Sequence, residues 1–332
     1  MKAIVLNGFG DVSNFSLEEI SIPEIKNDEV LIELKASAFN PIDYQMRQGL
    51  RESLLMKSPV LGRECSGIIA AVGSEVKGFA LGDEIIALSG SRGSNGSYAS
   101  HMTLNYQFLA HKPGNISFEV GAAIPASGAT AWQCFSRMGA TAGSRIFING
   151  AAGGVGRFLI SLLLAHGCLN IIATAGSVQS RAALERLGLK PEQIVDYKVE
   201  NLEKRLLNAN GSAKFDYSVD LVGGQQSELA ASILKVTGTY VDVTFLGTAK
   251  TREILFDKAC LVINIAGYAY AMENNMSWYG HTLGRICKMI AEAKILAPEI
   301  NILGELNVET VRNAHHLMET NQIYGKKLIM RI

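Results

Sequence analysis

A glycine-rich stretch in the middle of the chain, RIFINGAAGGVG at residues 145–156, places the tightest constraint on the fold. Residues 146–148 are the apolar run of a buried strand, and residues 155–165 form an almost wholly apolar helix. A strand, a tight turn and a buried helix leave the first N–H groups of that helix pointing at one place, where the helix dipole favours an anion. The sequence therefore predicts a phosphate-binding turn, whose residues are Ala152, Gly153, Gly154, Val155 and Gly156.

Two glycines of this turn have predicted roles in binding a dinucleotide. Gly153 would let a pyrophosphate approach the backbone, and Gly156 would let helix and strand pack closely. Ala151 stands where the first of the three glycines of the dinucleotide fingerprint is expected. On this motif alone, an ordinary strand-to-helix turn without a ligand stays an alternative.

A second strand, predicted at residues 170–174, ends without an acidic residue. An NAD-binding unit usually carries one there, where it holds the ribose hydroxyls of the adenosine. Here the first carboxylate is Glu185, inside the next helix, whereas Ser177 and Arg181 offer a hydroxyl and a cation suited to a 2′-phosphate. We therefore predict NADP(H) as the cofactor, with Arg181 as the charge partner; the alternative is that Arg181 is a solvated residue at a helix start.

Strands and helices alternate through the central part of the chain. This alternation predicts an α/β domain with a parallel, doubly wound sheet of the Rossmann type. Its six strands are predicted at residues 145–149, 170–174, 194–196, 215–221, 239–245 and 261–266.

The chain on either side of this alternation is different. Before about residue 109, short strands separated by Gly and Pro turns predict a small, partly open β-barrel. Residues 89–100, rich in Gly and Ser, are predicted to form a surface loop or a lid. The last helices and strands do not extend the alternation, so we assign residues 1–124 and 268–332 to one domain and residues 125–267 to the other.

Composition excludes several classes of partner. The 332 residues are 48% hydrophobic and 19% charged with a formal net charge of +0, which gives no electrostatic reason to bind nucleic acid or an anionic membrane. The five cysteines form no CxxC pair, so we expect reduced thiols and a cytoplasmic protein. No apolar run is long enough for a secretory signal or a membrane-spanning helix.

Seven short motifs, in this order and spacing, give the chain a family resemblance. They are Asn40-Pro-Ile-Asp43 with Gly49, Gly62-Arg-Glu64, Gly82-Asp83, Ser127-Gly-Ala-Thr-Ala131, the loop at 151–156, Asp196-Tyr197 and the closing Gly325-Lys326. Over essentially its whole length the sequence resembles the medium-chain dehydrogenase/reductase superfamily, and within it the zinc-independent quinone oxidoreductase and enone reductase branch. The resemblance implies a GroES-like catalytic barrel beside a Rossmann domain.

The resemblance also implies positions around the cofactor. It places Tyr197 near the adenosine end of NADPH and Thr130 near the nicotinamide. It places Phe245, Leu246 and Gly267 at the carboxyl edge of the sheet, where open α/β sheets bind ligands, and adds Lys326 to the cofactor-binding residues. It suggests a homodimer that forms through the edge of the sixth strand.

Zinc chemistry is not expected. In the alcohol dehydrogenase branch the first catalytic zinc ligand falls where this chain has Asn40, and the second where it has Arg63; only Glu64 survives from that site. The stretch 121–127, which corresponds to the third ligand, has no Cys or His, and the stretch 89–105 has no cysteine for a structural zinc. Arg63 cannot lose its proton and would repel a metal, so we predict no metal ion.

The leading function is transfer of a hydride from NADPH to a quinone or an α,β-unsaturated carbonyl compound. Without a Lewis acid a simple alkoxide is poorly stabilised, whereas these small-molecule acceptors delocalise the incoming charge. We predict Asn40, as an amide donor, and Tyr44, as a phenol, for the catalytic site. Asn40 could equally hold the turn before Pro41, and Tyr44 could simply pack; Gln45 stands where many relatives have a lysine.

Two alternatives stay open from the sequence. One is an enoyl-thioester reductase, which would need a long channel and a basic patch for a carrier group. The other is a protein that binds NADPH without turning it over.

Overall fold

The computed structural model describes residues 1–89, 96–323 and 325–332. Half of the predicted loop at 89–100 falls on residues 90–95 and so lies outside this range. Contacts divide the chain into two compact units, residues 1–129 with 268–332 and residues 130–267. In the described ranges no helix is long and apolar enough to cross a membrane.

Strands and helices are numbered along the chain. The strands are β1 (Lys2–Leu6), β2 (Phe15–Glu19), β3 (Glu29–Ala38), β4 (Glu64–Val72), β5 (Glu84–Leu88), β6 (His101–Asn105), β7 (Leu109–His111), β8 (Ile146–Asn149), β9 (Ile171–Thr174), β10 (Ile194–Val195), β11 (Phe215–Asp220), β12 (Leu234–Asp242), β13 (Leu261–Asn264), β14 (Ile300–Glu305) and β15 (Lys327–Arg331). The helices are α1 (Pro41–Arg47), α2 (Phe118–Ala122), α3 (Pro125–Met138), α4 (Gly154–Ala165), α5 (Val178–Arg186), α6 (Leu202–Ala209), α7 (Gln225–Ser232), α8 (Ala249–Asp257), α9 (Ala269–Met272), α10 (Ser277–Ala291) and α11 (Val308–Glu319).

The first unit is built around a seven-stranded sheet in the order β14-β15-β3-β4-β5-β7, with β6 also paired to β3. Strand β3 lies in the interior of the sheet, since both of its edges are paired with other strands. Its residues alternate in burial over the middle of the strand. Its last residue, Ala38, lies opposite both Glu64 at the start of β4 and Ile329 in β15. This register brings the ends of three strands together beside the loop that leads into α1.

The second unit is a six-stranded parallel sheet in the order β10-β9-β8-β11-β12-β13. Counted from β8, this is the strand order of a doubly wound dinucleotide-binding fold, so the predicted Rossmann sheet is confirmed. Strands β9 and β10 lie on one side of β8, and β11 to β13 lie on the other. The strand order therefore reverses between β8 and β11, and sheets of this kind bind ligands at such a point. The four residues of β8 are fully apolar or buried, as expected for a central parallel strand.

One strand of this sheet differs from its prediction. Strand β12 covers Leu234–Asp242 rather than residues 239–245. It ends early because the carboxylate of Asp242 accepts hydrogen bonds from the backbone N–H groups of Thr244, at 3.1 Å, and Phe245, at 2.8 Å. These bonds turn the chain out of the sheet, and Phe245 takes a left-handed conformation with φ 57°.

Candidate cofactor and substrate sites

The turn between β8 and α4 leaves the start of a 12-residue helix open. Gly153 is the N-cap residue and, having no side chain, gives the first N–H groups of α4 no capping hydrogen bond. The turn is closed instead by its own backbone, with the N–H of Gly153 donating to the carbonyl of Gly150 at 3.1 Å. An uncapped helix start with free N–H groups is what a phosphate requires.

The glycines of this turn differ in the space that surrounds them. A Cβ on Gly156 would lie 2.4 Å from the carbonyl oxygen of Ala151, so α4 and the turn approach each other more closely than any other residue allows. A Cβ on Gly153 would meet nothing nearer than 3.4 Å within the protein. Gly156 is therefore required for packing, whereas Gly153 leaves room in front of the helix.

A buried polar network supports the turn from below. The hydroxyl of Tyr240 donates to Asp220 at 2.7 Å, and Asn149 donates to the same carboxylate at 3.2 Å. Thr174 in turn donates to Asn149 at 3.3 Å, so the network crosses the carboxyl ends of four adjacent strands. Burial, and then the charge of Asp220, raises the pKa of Tyr240 well above its usual value.

Asp220 also fixes the loop that follows β11. Its second contact is with the backbone N–H groups of Val222 and Gly223, both at 3.0 Å from Oδ1. This network was not predicted from the sequence. One polar residue at the end of each of several otherwise apolar strands could have indicated it.

Phe245 and Leu246 lie in the loop after β12, at the carboxyl edge of the sheet. Their side chains are 71% and 57% exposed, which is unusual for two adjacent large apolar residues. Leu246 packs closely against Gly223, since a Cβ on Gly223 would lie 2.4 Å from the Cβ of Leu246. This contact holds the loop in place. Left-handed backbone at Phe245 together with apolar exposure is typical of a ligand-binding loop.

Tyr197 lies against the end of β9. A Cβ on Gly176 would fall 2.3 Å from the ring of Tyr197, so the glycine makes room for that ring. Ser177 caps α5, because its hydroxyl accepts the N–H of Ser180 at 3.1 Å. Arg181, one turn into the helix, donates to the carbonyl of Pro191 at 3.3 Å.

Thr130 and Gly267 belong to the same unit. Thr130 lies on α3, and Gly267 follows β13. Gln133 on α3 donates to the carbonyl of Ala266 at 3.5 Å, which ties this helix to the segment that ends at Gly267.

Asn40, Glu64 and Lys327 form a buried cluster in the first unit. Oε1 of Glu64 lies 2.5 Å from the ammonium of Lys327 and accepts the amide of Asn40 at 2.9 Å. Lys327 also donates to the amide oxygen of Asn40 at 2.6 Å. The second oxygen of Glu64 accepts the N–H of Ala126 at 2.6 Å, so this fully buried carboxylate is well compensated. We call these three side chains the lysine cluster.

Two further charged residues accompany the lysine cluster. Asp43 is fully buried and accepts the N–H of Asn40 at 2.8 Å through one oxygen, whereas its other oxygen, Oδ1, has no partner among the described residues. Burial raises the pKa of Asp43 to about 6. Arg63 precedes Glu64 in the chain. Its Nη1 atom is buried and has no hydrogen-bond acceptor among the residues that the structure describes.

The other two residues predicted for this unit are placed differently. Tyr44 is half-buried and packs on the apolar core beneath β1, and burial raises its pKa. Lys326 is exposed, and its neighbour Lys327 is the lysine that joins the cluster. Lys327 was not among the residues predicted for this site. Glu64 could have indicated it, because a carboxylate at the start of a buried strand needs a cation nearby.

A metal site is not apparent in the part of the chain that the structure describes, where no three His, Cys, Asp or Glu side chains are grouped. Cys65, next to Glu64, is fully buried, and burial raises the pKa of its thiol. A buried thiol of this kind is an apolar core residue rather than a ligand.

Comparison with known proteins decides the family. Residues 26–114 match the family model of the alcohol dehydrogenase GroES-like domain, and residues 154–286 match that of the zinc-binding dehydrogenase. A 2-methylene-furan-3-one reductase of Solanum lycopersicum is 30% identical over 99% of this chain and 79% of its own length. The chain belongs to the medium-chain dehydrogenase/reductase superfamily. The chloroplastic NADPH-dependent alkenal/one oxidoreductase of Arabidopsis thaliana is 30% identical over 100% of this chain and 80% of its own length.

Solved structures of the superfamily agree with this assignment. The quinone oxidoreductase from Coxiella burnetii superposes with a TM-score of 0.85 at 26% identity, covering 100% of this chain and 99% of that one. Both the predicted family and the predicted pairing of a GroES-like domain with a Rossmann sheet are therefore confirmed.

Proposed function

We propose that this protein is a zinc-independent, NADPH-dependent oxidoreductase that transfers hydride to a quinone or to an α,β-unsaturated carbonyl compound. The observation that carries this proposal is the lysine cluster. Asn40 and Glu64 stand at two positions related to the zinc site of alcohol dehydrogenases, and the ammonium of Lys327 is bonded to both. The names of the relatives, an alkenal/one oxidoreductase and a furanone reductase, point to the same chemistry.

The second unit has the features that NADPH requires. The open start of α4 suits the pyrophosphate. We propose that Tyr197, which packs against Gly176 after β9, contacts the adenosine and that Arg181 on α5 contacts its 2′-phosphate. The first carboxylate after β9 is Glu185, which lies inside α5 and not at the end of the strand. Thr130, Phe245, Leu246 and Gly267 are proposed for the nicotinamide half, and Ser177 supports Arg181 by capping its helix.

The charged residues of the first unit favour an acceptor that can delocalise the negative charge it receives with the hydride. Bound NADPH supplies a hydride, and a conjugated acceptor spreads the resulting negative charge over several atoms. Lys327 and Arg63 bring two cations to this part of the chain, and Glu64 and Asp43 bring two carboxylates. Because Glu64 is already paired with Lys327 and accepts the N–H of Ala126, we propose that it is not available to a divalent metal. The amide of Asn40 keeps a second hydrogen beyond the one given to Glu64, and we propose it, with the phenol of Tyr44, to orient the substrate oxygen.

The experiment is a comparison of acceptors. NADPH consumption is measured with a quinone, an enone, an enoyl thioester and a saturated aldehyde, each with and without a strong chelator. We expect turnover with the quinone or the enone, undiminished by the chelator. Turnover restricted to the enoyl thioester would favour a carrier-dependent reductase, and no turnover despite NADPH binding would favour a binding protein; either result rejects the proposal.

We also propose a homodimer formed through β13. This strand is the outer strand of its sheet, and Leu261 and Val262 on it are exposed, as are Val236 and Phe256 nearby. An exposed apolar edge strand is a template for pairing with a second copy. Light scattering should give twice the mass of the chain, and Val262→Lys should give a monomer; a wild-type monomer would reject this.

We place the protein in the cytoplasm, acting on small molecules rather than on membranes or nucleic acids. The support is the neutral net charge together with five cysteines that form no disulfide in the structure. Fractionation of cells with an antibody to the chain tests the location, and recovery in an organelle fraction would contradict it.

A further inference from the structure

A cavity of about 690 Å³ lies within the first unit, between α10 and the chain segment 106–113. Its walls are mostly apolar and include Leu109, Pro113 and Cys287, with Phe79 at one side. Its volume lies within the range of pockets that hold small organic ligands, roughly 300–1,000 Å³. None of the residues proposed above for cofactor or substrate lines it.

The cavity exists because of how α10 packs. Gly280 lies against the backbone of the segment, since a Cβ there would fall 2.6 Å from the carbonyl oxygen of Gln107 and 2.7 Å from that of Leu109. One turn later, a Cβ on Gly284 would meet nothing within 4 Å. The small residues Cys287 and Ala291 continue the same face of the helix and leave the hollow unfilled.

The charge around the cavity has one sign. Lys77, Lys112, Lys288, His111 and His281 line it, and among the described residues no Asp or Glu does. Carboxylates do lie behind some of these groups. They are Glu84, 3.0 Å from Lys112, Glu292, 3.9 Å from Lys288, and Asp83, 3.9 Å from His111.

These neighbours offset only part of the basic character. The pair of Lys288 with Glu292 is long and largely exposed, so it is weak in water. The ammonium of Lys112 donates to the carbonyls of Ile116, at 2.8 Å, and Pro113, at 3.2 Å, and pairs with Glu84, so its charge is compensated within the wall. The exposed lysines at the cavity are Lys77 and Lys288. An apolar hollow with lysines at its wall suits a ligand that is apolar along its body and anionic at one end.

We propose that this cavity is a second binding site, for an organic anion of the class of medium-chain alkyl carboxylates. The apolar walls bury the alkyl chain, which is favourable because apolar surface is removed from water. The exposed lysines, Lys77 and Lys288, receive the carboxylate. The site is independent of NADPH and of the reductase reaction.

The test uses decanoate as the probe and calorimetric titration of the full chain without NADPH. We expect saturable binding of one decanoate per chain. Decyltrimethylammonium, which has the same chain and the opposite charge, should bind at least tenfold more weakly. Equal binding of the two amphiphiles, or no saturable binding of decanoate, overturns the proposal.

Two substitutions at Gly284 locate the site. Gly284→Leu fills the hollow and should weaken decanoate binding at least tenfold, whereas the matched control Gly284→Ala should change it less than twofold. Both variants should fold, because the added Cβ has space and because alanine and leucine are better helix residues than glycine. Thermal unfolding checks this. Undiminished decanoate binding by a folded Gly284→Leu protein places the ligand elsewhere and rejects the cavity.

Discussion

The turn at residues 150–156 and the lysine cluster are built in opposite ways. The turn is formed almost entirely by backbone, and Gly156 works because a side chain is missing. The lysine cluster is formed by side chains, and Glu64 is tolerated inside the protein because Lys327 and Asn40 compensate it. The turn is therefore sensitive to an added side-chain atom, and the lysine cluster is sensitive to the removal of one of its charges.

This difference agrees with what each region is proposed to bind. A phosphate brings its own charge and needs donors and space, which backbone N–H groups supply. The substrate site proposed at the lysine cluster would need fixed dipoles and cations, and these must be held by partners because an unpaired buried charge is destabilising.

The largest effect is expected from Lys327→Met. It removes the cation from the fully buried carboxylate of Glu64, and breaking such a pair destabilises a protein by about 3–5 kcal/mol. Denaturant unfolding measures this loss. The control is the double variant Glu64→Gln with Lys327→Met, which should recover much of the stability because no charge is left unpaired; equal losses in the two proteins would show that the ion pair has no part in the effect.

Asp43→Asn should change how stability depends on pH. The folded pKa of Asp43, about 6, is above its usual value of 3.8, so the folded state binds the proton more tightly than the unfolded state does. The wild type therefore loses stability relative to the variant as pH rises from about 4 to 6, by up to roughly 3 kcal/mol, and the difference is constant above that range. Unfolding in a series of buffers measures it, and a pH-independent difference would refute the buried-acid assignment.

Gly156→Ala should destabilise the protein by about 1–3 kcal/mol, because its methyl group overlaps the backbone of Ala151. The matched variant Gly153→Ala has space for its methyl group within the protein and should lose less than about 1 kcal/mol. It should nevertheless bind NADPH more weakly, since the methyl group occupies the approach to the helix start. If the two alanines had the same effects on unfolding and on NADPH titration, the distinction between packing and binding glycines would be wrong.

The smallest effect on stability is expected from Arg181→Ala, which leaves the turn intact and acts on cofactor binding. Loss of a charged hydrogen bond of about 1.5–3 kcal/mol to the 2′-phosphate should raise the KM for NADPH roughly 10- to 100-fold. The KM for NADH, which lacks that phosphate, should stay within twofold. Steady-state kinetics with both cofactors measure this, and equal changes would remove Arg181 from the cofactor site.

The sequence was most informative where a local pattern determines the structure. The apolar run of β8 and the glycines after it predict a strand, a turn and a helix from adjacent residues, and the parallel order of the sheet follows from the alternation. The lysine cluster could not be predicted in this way. Asn40, Glu64 and Lys327 are far apart in the chain and meet only because β15 and β4 pair with the end of β3.

The end of β12 shows a second limit. The residues after Asp242 have an apolar pattern that suits a strand, but the Asp242 side chain bonds to the backbone N–H groups of Thr244 and Phe245 and turns the chain. Such competition between side chain and sheet is decided by local geometry. The same is true of Asp220, whose contacts with the loop after β11 join residues that no periodic pattern connects.

The most direct test of the account follows the hydride itself. The protein, stripped of metal by a chelator, is given NADPH labelled with deuterium at C4 of the nicotinamide and an enone, and the product is analysed by mass spectrometry and NMR. We predict a saturated ketone with deuterium on the carbon β to the carbonyl group. An alcohol with deuterium on the carbonyl carbon, formed only when zinc is restored, would contradict the account.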